Sequence, residues 1–189
     1  RIASQTPKQL LDLSNALYQI LSAGVPAADA IGVLDSSVKL AVSSISEVKD
    51  SANLLITTLN AYRESGLSAA DATDKLTQIY KAGRTTVSEL SVSFGRVAPL
   101  AAQFGVDLDT VGGLLISLTR SGLRTNEAIT ATRAIISGIA KPTEKTQKLL
   151  EKLNISFGQG AIDAFGFAGV MKNLLDATGG NVDLLARLF

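Results

Sequence analysis

Glycines recur in this chain directly after apolar runs, and they restrict it to short helices joined by tight turns. Gly105 and Gly122 each follow such a run, and each precedes an aliphatic residue, Val106 and Leu123. Glycine tolerates the left-handed backbone that ends many helices, and the aliphatic residue after it can pack back on the helix just completed. The segment 104–153 is therefore predicted to hold three helices in close succession.

Polar residues near these stops predict where the next helices begin. Asp107 and Thr125 can accept hydrogen bonds from the free N–H groups of a first helical turn. The segments 44–47 (SISE) and 86–89 (TVSE) have the spacing of capping boxes. Pro142 can end one helix and open another, because proline has no N–H to donate and its φ already suits a first turn.

A near-repeat extends this pattern toward the start of the chain. Residues 24–30 (GVPAADA) and 66–72 (GLSAADA) are almost the same heptad, 42 positions apart, and Gly105 follows Gly66 by 39 positions. A period near 40 with two helices per unit is typical of helical repeat arrays, although recurring glycine stops alone would produce the same pattern. Either origin predicts an all-α fold, a stack of antiparallel helical hairpins with about 8–10 helices.

The character of the sequence changes after Pro142. We expect 1–142 to form the helical hairpin array, and 143–189 to pack on it as a polar helix, a glycine-rich irregular segment and two short helices. The irregular segment is predicted from Ile155 to Gly166. A last helix, capped by Asn181, would carry an apolar stripe that indicates either a partner surface or a truncated core. The abrupt chain ends suggest a fragment of a longer protein.

Composition supports a helical fold and excludes some partners. Hydrophobic residues make up 46% of the chain but aromatic residues only 5%, so the core must consist of aliphatic side chains, which favours closely packed helices. A formal net charge of +1 provides no global field for nucleic acid, and no specific nucleic-acid binding is expected. The longest uncharged run, 13–28, is interrupted by Gly24 and Pro26, so no membrane span is expected in this segment.

The usual catalytic and metal-binding residues are missing. Neither His nor Cys occurs, which removes the imidazole base, the thiolate and the nitrogen or sulfur ligands of zinc. Asp107 and Asp109 resemble the start of a calcium loop, but apolar residues occupy the fifth and twelfth ligand positions. The segment 158–160 (GQG) lacks the rest of a phosphate-binding loop. We therefore expect no enzymatic activity, no cofactor and no metal.

Several motifs follow one another in a specific order after residue 104. A helix leads into SGLRTNEA (121–128), the next helix ends in AKPT (140–143), and LEKLNI (150–155) follows. This order resembles the core of phage tail tape measure proteins, over about 45–189, although the family more often has Ala and Gly where this chain has Ser121 and Asn154. The resemblance implies structural roles for a set of signature residues, namely Gly105, Gly122, Leu123, Glu127, Ala128, Arg133 and Pro142.

The same resemblance implies a function. Tape measure proteins are long helical chains whose length sets the tail tube length during assembly and which are ejected ahead of the DNA. The implied partners are the tail tube protein, the tail assembly chaperones, the tail tip or baseplate hub, and further copies of the chain in a homo-oligomer. The implied locations are the tail lumen of the virion and, during assembly, the host cytoplasm.

Other interpretations remain open from the sequence. The frequent glycine stops favour a folded oligomerising or docking domain over the extended ruler portion of such a protein. A helical adaptor or scaffold of a bacterial contractile-injection or secretion apparatus is one alternative. A membrane-active or cell-wall-degrading passenger is another, but the chain offers no carboxylate pair or metal site for such chemistry.

Two features are candidates for a partner surface. One is a basic stripe at helical spacing, formed by Lys141, Lys145, Lys148 and Lys152. It can meet phosphate or an acidic partner, although such stripes are commonly solvated faces. The other is Gly112 and Gly113, which lie inside a helix where each glycine costs about 1 kcal/mol relative to Ala. We expect close packing within the chain, for which Ala134, Ser137 and Gly138 of the next helix offer a similarly small surface, with an oligomer contact as the alternative.

Overall fold

The computed structural model describes residues 7–152 and 155–179 of the chain. These ranges contain ten α-helices and no strand, which confirms the predicted all-α class. Two 3-10 turns, Arg63–Ser65 and Phe94–Arg96, interrupt the series. The helices are α1 (Pro7–Ser22), α2 (Ala27–Ser44), α3 (Val48–Ala61), α4 (Ala69–Ala82), α5 (Val87–Ser93), α6 (Ala98–Gln103), α7 (Leu108–Arg120), α8 (Thr125–Ala140), α9 (Glu144–Lys152) and α10 (Gln159–Thr178). The last predicted helix, from Asn181, lies outside the described residues.

The helices form a stack of hairpins in two layers, because alternate helices pack side by side. In the first layer α3 packs against α1 and α5, and α8 packs against α5 and α6. In the second layer α4 packs against both α2 and α7. Helices that follow one another, such as α1 and α2 or α7 and α8, pack across the layers as hairpins. The main core, built mostly of aliphatic side chains, runs between the layers from Ala16 to Val170.

The periodic glycines occupy equivalent turns of this array. Gly24, Gly66 and Gly105 have φ values of 82°, 69° and 68°, and they precede α2, α4 and α7 of the second layer. A residue with a Cβ atom adopts this left-handed backbone only at a cost of roughly 1–2 kcal/mol. The period near 40 in the sequence is therefore the spacing of successive hairpins in the fold.

Gly105 and Gly122 end their helices as predicted. The Val106 N–H donates a hydrogen bond to the carbonyl oxygen five residues earlier at 2.8 Å, and the Leu123 N–H does the same at 3.2 Å. These bonds are the six-to-one contacts of the Schellman motif. Val106 is buried and Leu123 is half-buried against the core. Both aliphatic residues therefore pack inward after the glycine, as the sequence predicts.

Two of the predicted caps are confirmed. The Thr110 N–H donates to the Asp107 carboxylate at 2.7 Å, which caps α7. At the start of α5 the Glu89 N–H donates to the Thr86 hydroxyl at 3.2 Å, and the Thr86 N–H donates to the Glu89 carboxylate at 3.1 Å. This reciprocal pair is a capping box, so the TVSE pattern predicted the α5 start correctly.

Two other predicted caps are wrong. Thr125 is the first residue of α8, and the Arg124 N–H before it donates to the Glu127 carboxylate at 3.0 Å. In the 44–47 segment, α2 extends to Ser44, whose hydroxyl donates to the carbonyl oxygen of Leu40 at 2.7 Å. That hydroxyl is thus used at the end of α2, and α3 begins without a side-chain cap.

The capping box at Thr86 and the glycine stop at Gly105 predict one helix between them, and the structure breaks this helix in two. α5 ends at Ser93, a 3-10 turn follows, and α6 begins at Ala98. Pro99 lies in the first turn of α6. In an uninterrupted helix its ring would clash with the carbonyl group four residues earlier, and it would leave that carbonyl without an N–H partner. The break before Pro99 removes this conflict while Phe94 stays fully buried.

The predicted irregular segment from Ile155 to Gly166 is mostly helical, which corrects the prediction. Residues 155–157 are non-helical, but α10 begins at Gln159 because Ala161 and Ile162 bury an apolar side in the common core. Gly166 has φ 70° and ψ 158°, so α10 consists of two helical pieces joined at a kink. The second piece, from Phe167 onward, matches the first of the two short helices, which the sequence predicts from about Phe167 to Ala177.

The residues after Pro142 pack on the array at two places. The Gly158 N–H donates to the Ile139 carbonyl oxygen of α8 at 3.1 Å. Phe167 and Val170 of α10 belong to the same core as the first eight helices. Leu150 and Leu174 form a separate small cluster between α9 and α10. A domain boundary at 142 stays a prediction.

Candidate partner-binding surfaces

Most of the signature residues shape the turns of the array. Gly105 and Gly122 hold positive φ values, Leu123 packs against the core, and Ala128 is fully buried in α8. Pro142 lies between α8 and α9 and does not open α9, which begins at Glu144. The Thr146 N–H donates to the Thr143 hydroxyl at 3.2 Å, so Thr143 caps α9.

The two charged signature residues differ in their surroundings. Arg133 is exposed on α8 and has no hydrogen bond or ion pair within the part of the chain that the structure describes. Glu127 lies 2.6 Å from the Arg124 guanidinium and also accepts the Arg124 N–H. These two donors hold the pKa of the Glu127 carboxyl below its usual range. Glu127 therefore stabilises the start of α8.

The structure brings together three of the four lysines of the predicted basic stripe. Lys145, Lys148 and Lys152 line one exposed face of α9, around a shallow depression whose floor is the half-buried Leu149. Lys141 is separate, since it lies in the turn before α9 with its ammonium 5.3 Å from the centroid of the Phe104 ring. That distance fits a cation–π contact between the Lys141 ammonium and the Phe104 ring. Lys141 therefore contacts its own chain and is not part of the α9 lysine face.

The two helical glycines have different environments. A Cβ atom added to Gly112 would lie 2.9 Å from Cγ1 of Ile79, so Gly112 is where α7 closely approaches α4. The predicted approach of the small α8 residues Ala134, Ser137 and Gly138 is therefore wrong at this glycine. Gly113 is exposed, and a Cβ atom added there would meet nothing within 4 Å. Intramolecular packing thus explains Gly112 and leaves Gly113 on the surface.

A surface cleft of about 730 Å³ separates the end of α3 from the α6–α7 turn. Tyr62 forms part of its lining but is itself buried, and its hydroxyl donates to the Val106 carbonyl oxygen at 3.2 Å. Burial raises the pKa of Tyr62, and the nearby Asp107 carboxylate raises it further. Across 7–152 and 155–179 no group of acidic side chains could hold a metal ion. None of the helices in those ranges is long and apolar enough to span a membrane.

Sequence reasoning missed an exposed apolar side of α1. Helical spacing alone indicated a helix here but not which of its leucines are buried, and Leu10, Leu11 and Leu21 are 51%, 61% and 44% exposed. Tyr18 on the same side is 72% exposed. The signal was present in the sequence, because the apolar residues of α1 cover a wider arc than the single apolar stripe of a typical surface helix.

Comparisons with known proteins point to the phage tail. The family model described as "Phage-related minor tail protein" matches residues 1–189. The chain is also similar to a curated protein, the "Tape measure protein" of Pneumococcus phage Dp-1, at 22% identity over 156 residues. That match covers 82% of this chain but only 14% of the relative's length. No solved structure matches the chain.

Proposed function

The chain belongs to the family of phage-related minor tail proteins, and on that premise we propose that it is a folded domain of a tape measure protein. A structural role in the phage tail follows from the membership. The finer role, setting the tail tube length during assembly and leaving the tail ahead of the DNA, is supported by the similarity to a protein named as a tape measure.

The whole-chain family match is the observation that carries this proposal. A structural role in the tail requires no catalytic centre. We propose that the chain is not an enzyme and needs no cofactor. The proposed partners are the tail tube protein, the tail assembly chaperones, the tail tip or baseplate hub, and further copies of the chain. The proposed locations are the tail lumen and, before that, the host cytoplasm.

Within such a protein, this segment is proposed to be a docking or oligomerising domain and not the extended ruler. A continuous helix advances about 1.5 Å per residue, so a ruler of this chain length would be roughly 280 Å long. The described helices instead fold back on one another, and Tyr62 bonds to a residue 44 positions away. Small-angle X-ray scattering tests this directly: a compact particle is expected, and a single long rod would overturn it.

The lysine face of α9 is proposed as one of the docking surfaces of this domain. Lys145, Lys148 and Lys152 present three positive charges around an apolar centre, which suits an acidic helix of a tail partner. Replacing all three with Glu is expected to lower the yield of infectious particles in a phage complementation assay. Replacing the exposed Lys49 and Lys81 with Glu is the control and is expected to preserve the yield.

Deleting the segment in frame tests the tail role itself. Phage that lack residues 1–189 are expected to produce either no tails or tails without a fixed length, as seen by electron microscopy. Supplying the intact gene in trans is expected to restore uniform tails. Normal tails of parental length in the deletion strain would contradict the proposed function and favour the alternative, a helical adaptor or scaffold of a bacterial contractile-injection or secretion apparatus.

A further inference from the structure

Three arginines lie at one corner of the array, where the turn between α4 and α5 meets the turn between α7 and α8. Arg84 lies between α4 and α5, Arg120 is the last residue of α7, and Arg124 directly precedes α8. The two turns are neighbours, because α4 packs against α7 and α5 packs against α8. These three residues form the arginine corner. They are half of the arginines in the described residues, which are Arg63, Arg84, Arg96, Arg120, Arg124 and Arg133.

A hydrogen bond and a close approach fix one side of this corner. The Arg84 N–H donates to the Thr119 hydroxyl at 3.1 Å, and that hydroxyl donates to the Leu115 carbonyl oxygen at 2.7 Å. A Cβ atom added to Gly83 would lie 3.0 Å from the same hydroxyl oxygen, so glycine permits the approach. Thr119 is only 1% exposed. The backbone of Arg84 is therefore held beside the residue that precedes Arg120.

A second buried threonine fixes the other side. The Thr125 hydroxyl donates to the Glu89 carboxylate at 2.9 Å and lies 2.8 Å from the Thr85 hydroxyl oxygen. Thr85 directly follows Arg84, and Thr125 directly follows Arg124. Because Thr125 is 4% exposed, these bonds lie under the surface and hold the two turns together. The three arginines therefore project from a single, firmly joined pair of turns.

Two of the three guanidinium groups have no partner. Arg84 and Arg120 are exposed, and neither side chain forms a hydrogen bond or ion pair within residues 7–152 and 155–179. Arg124 differs, because its guanidinium lies 2.6 Å from the Glu127 carboxylate. The other nearby carboxylate, that of Glu89, already accepts hydrogen bonds from the α5 capping box and from α8. Two positive charges at the corner are thus left for a ligand.

Arginine at these positions indicates what kind of ligand fits. A guanidinium carries its donors in a planar fork, which matches the two oxygens of a carboxylate or the oxygens of a phosphate. The turns are already held in place, so binding orders little more than the two side chains. Proteins that bind single-stranded nucleic acid add exposed aromatic rings on which bases stack. The exposed aromatic residues of the described ranges, Tyr18 and Phe165, belong to α1 and α10 and not to this corner.

We propose that the arginine corner binds a segment of a tail protein that is rich in Asp and Glu. Arg84 and Arg120 each take one carboxylate of the segment, as Arg124 already takes that of Glu127. The segment lies along the edge of the array, across the α4–α5 and α7–α8 turns. This surface is separate from the lysine face, which lies on α9.

The choice of a tail protein as the partner rests on the proposed function. The carboxylate chemistry of the corner does not, since it follows from the arginines and the turns alone. Peptide binding to the 189-residue chain tests the corner, whereas tail morphology tests the function. The two can therefore fail separately.

Fluorescence anisotropy with labelled hexaglutamate is the first test. The unmodified chain is expected to bind this peptide saturably and to leave labelled hexaglutamine unbound. Arg84→Gln together with Arg120→Gln is expected to weaken binding at least about tenfold, because two charge-assisted contacts are lost. Both side chains are exposed and unbonded, so the circular dichroism spectrum is expected to stay unchanged.

A matched pair of arginines provides the control. Arg96→Gln together with Arg133→Gln removes the same two charges from exposed positions outside the corner. Charges that far from the peptide are largely screened, so binding is expected to stay within about twofold of the unmodified chain. The lysine face also attracts hexaglutamate, so both pairs are repeated in a chain whose Lys145, Lys148 and Lys152 are replaced with Gln. The difference between the pairs is expected to persist there.

Two further measurements identify the chemistry. Arg84→Lys together with Arg120→Lys keeps both charges but removes the forks, and is expected to weaken hexaglutamate binding roughly threefold. Labelled hexathymidylate, which carries phosphates in place of carboxylates, is expected to bind more weakly than hexaglutamate at the same salt concentration.

Four results would overturn the proposal. Absence of saturable hexaglutamate binding would show that the corner does not bind carboxylates. Equal losses in the Arg84/Arg120 and Arg96/Arg133 variants would show that net charge alone attracts the peptide. A lysine pair that binds as tightly as the arginines would exclude recognition by the guanidinium fork. Tighter binding of hexathymidylate, lost in the Arg84/Arg120 variant, would identify the ligand as a nucleic acid.

Discussion

The hydroxyl of Tyr62 donates a hydrogen bond to the backbone carbonyl oxygen of Val106, 44 residues later in the chain, at 3.2 Å. Tyr62 ends α3 of the second hairpin, and Val106 follows the glycine that ends α6. Both residues are buried. The bond therefore ties one hairpin of the array to the turn of the next, at the point where the periodic glycine reverses the chain.

Removing this hydroxyl is expected to destabilise the fold. Tyr62→Phe keeps the ring in the core but leaves the buried Val106 carbonyl oxygen without this donor, which costs about 1–2 kcal/mol. Urea unfolding followed by circular dichroism measures the change. Tyr18→Phe is the matched control, because Tyr18 is 72% exposed and loses only a water contact. Equal effects of the two substitutions would contradict the account of Tyr62.

Tyr62 is also expected to make stability fall at high pH. Its pKa in the folded protein is raised, first by burial and then by the Asp107 carboxylate, so folding favours the neutral phenol. The resulting stability is complete below the ordinary tyrosine pKa near 10 and is lost as the pH rises beyond it. Urea midpoints measured between pH 8 and pH 11 should therefore decline less steeply in Tyr62→Phe than in the unmodified chain.

The neighbouring glycines of α7 are expected to respond in opposite directions to alanine. Gly113→Ala should stabilise the protein by about 0.5–1 kcal/mol, because alanine favours the helix and the new methyl group meets open space. Gly112→Ala should destabilise it by roughly 1–3 kcal/mol, because the methyl group overlaps the buried Ile79.

A second substitution identifies the cause of the Gly112 effect. Ile79→Ala shortens the side chain that the new methyl group would meet, so the loss from Gly112→Ala is expected to be smaller in that background. Thermal unfolding of the four combinations measures the coupling. Strictly additive losses would show that the α4–α7 contact is not what requires glycine.

Ile45 is expected to be a strained position. It is the non-glycine residue with positive φ (54°) among the described residues, and its side chain is 96% exposed. A β-branched residue in this conformation costs roughly 1–2 kcal/mol, and little packing offsets that cost. Ile45→Gly should raise the free energy of unfolding by about 0.5–1 kcal/mol, after allowance for the greater entropy of unfolded glycine. A loss of stability would show that the exposed side chain has a structural role.

The turns of the array were largely predictable from local residues. The left-handed backbone at Gly105 and Gly122, the carboxylate cap at Asp107 and the capping box at Thr86 each depend on residues close in sequence. The family resemblance to tape measure proteins was likewise visible in the motif order between 121 and 155, and the family match over residues 1–189 confirms it.

Features that depend on tertiary contacts were not predictable in this way. The approach of Ile79 to Gly112 joins residues more than 30 positions apart, and nothing near Gly112 indicates which helix it meets. The left-handed Ile45 contradicts the local preference for glycine at such a position. Pro99 did carry a local signal for the break between α5 and α6, and the apolar residues around it obscured that signal.

Tail length is the measurement that tests the central claim most directly. We would duplicate in frame a helical stretch of the encoded protein outside residues 1–189 and measure the tails by electron microscopy. Tails that are uniformly longer, by about 1.5 Å per added residue, are the result that the proposed ruler protein predicts. Intact tails of unchanged length would contradict the tape measure role and favour a structural role in the tail that does not set its length.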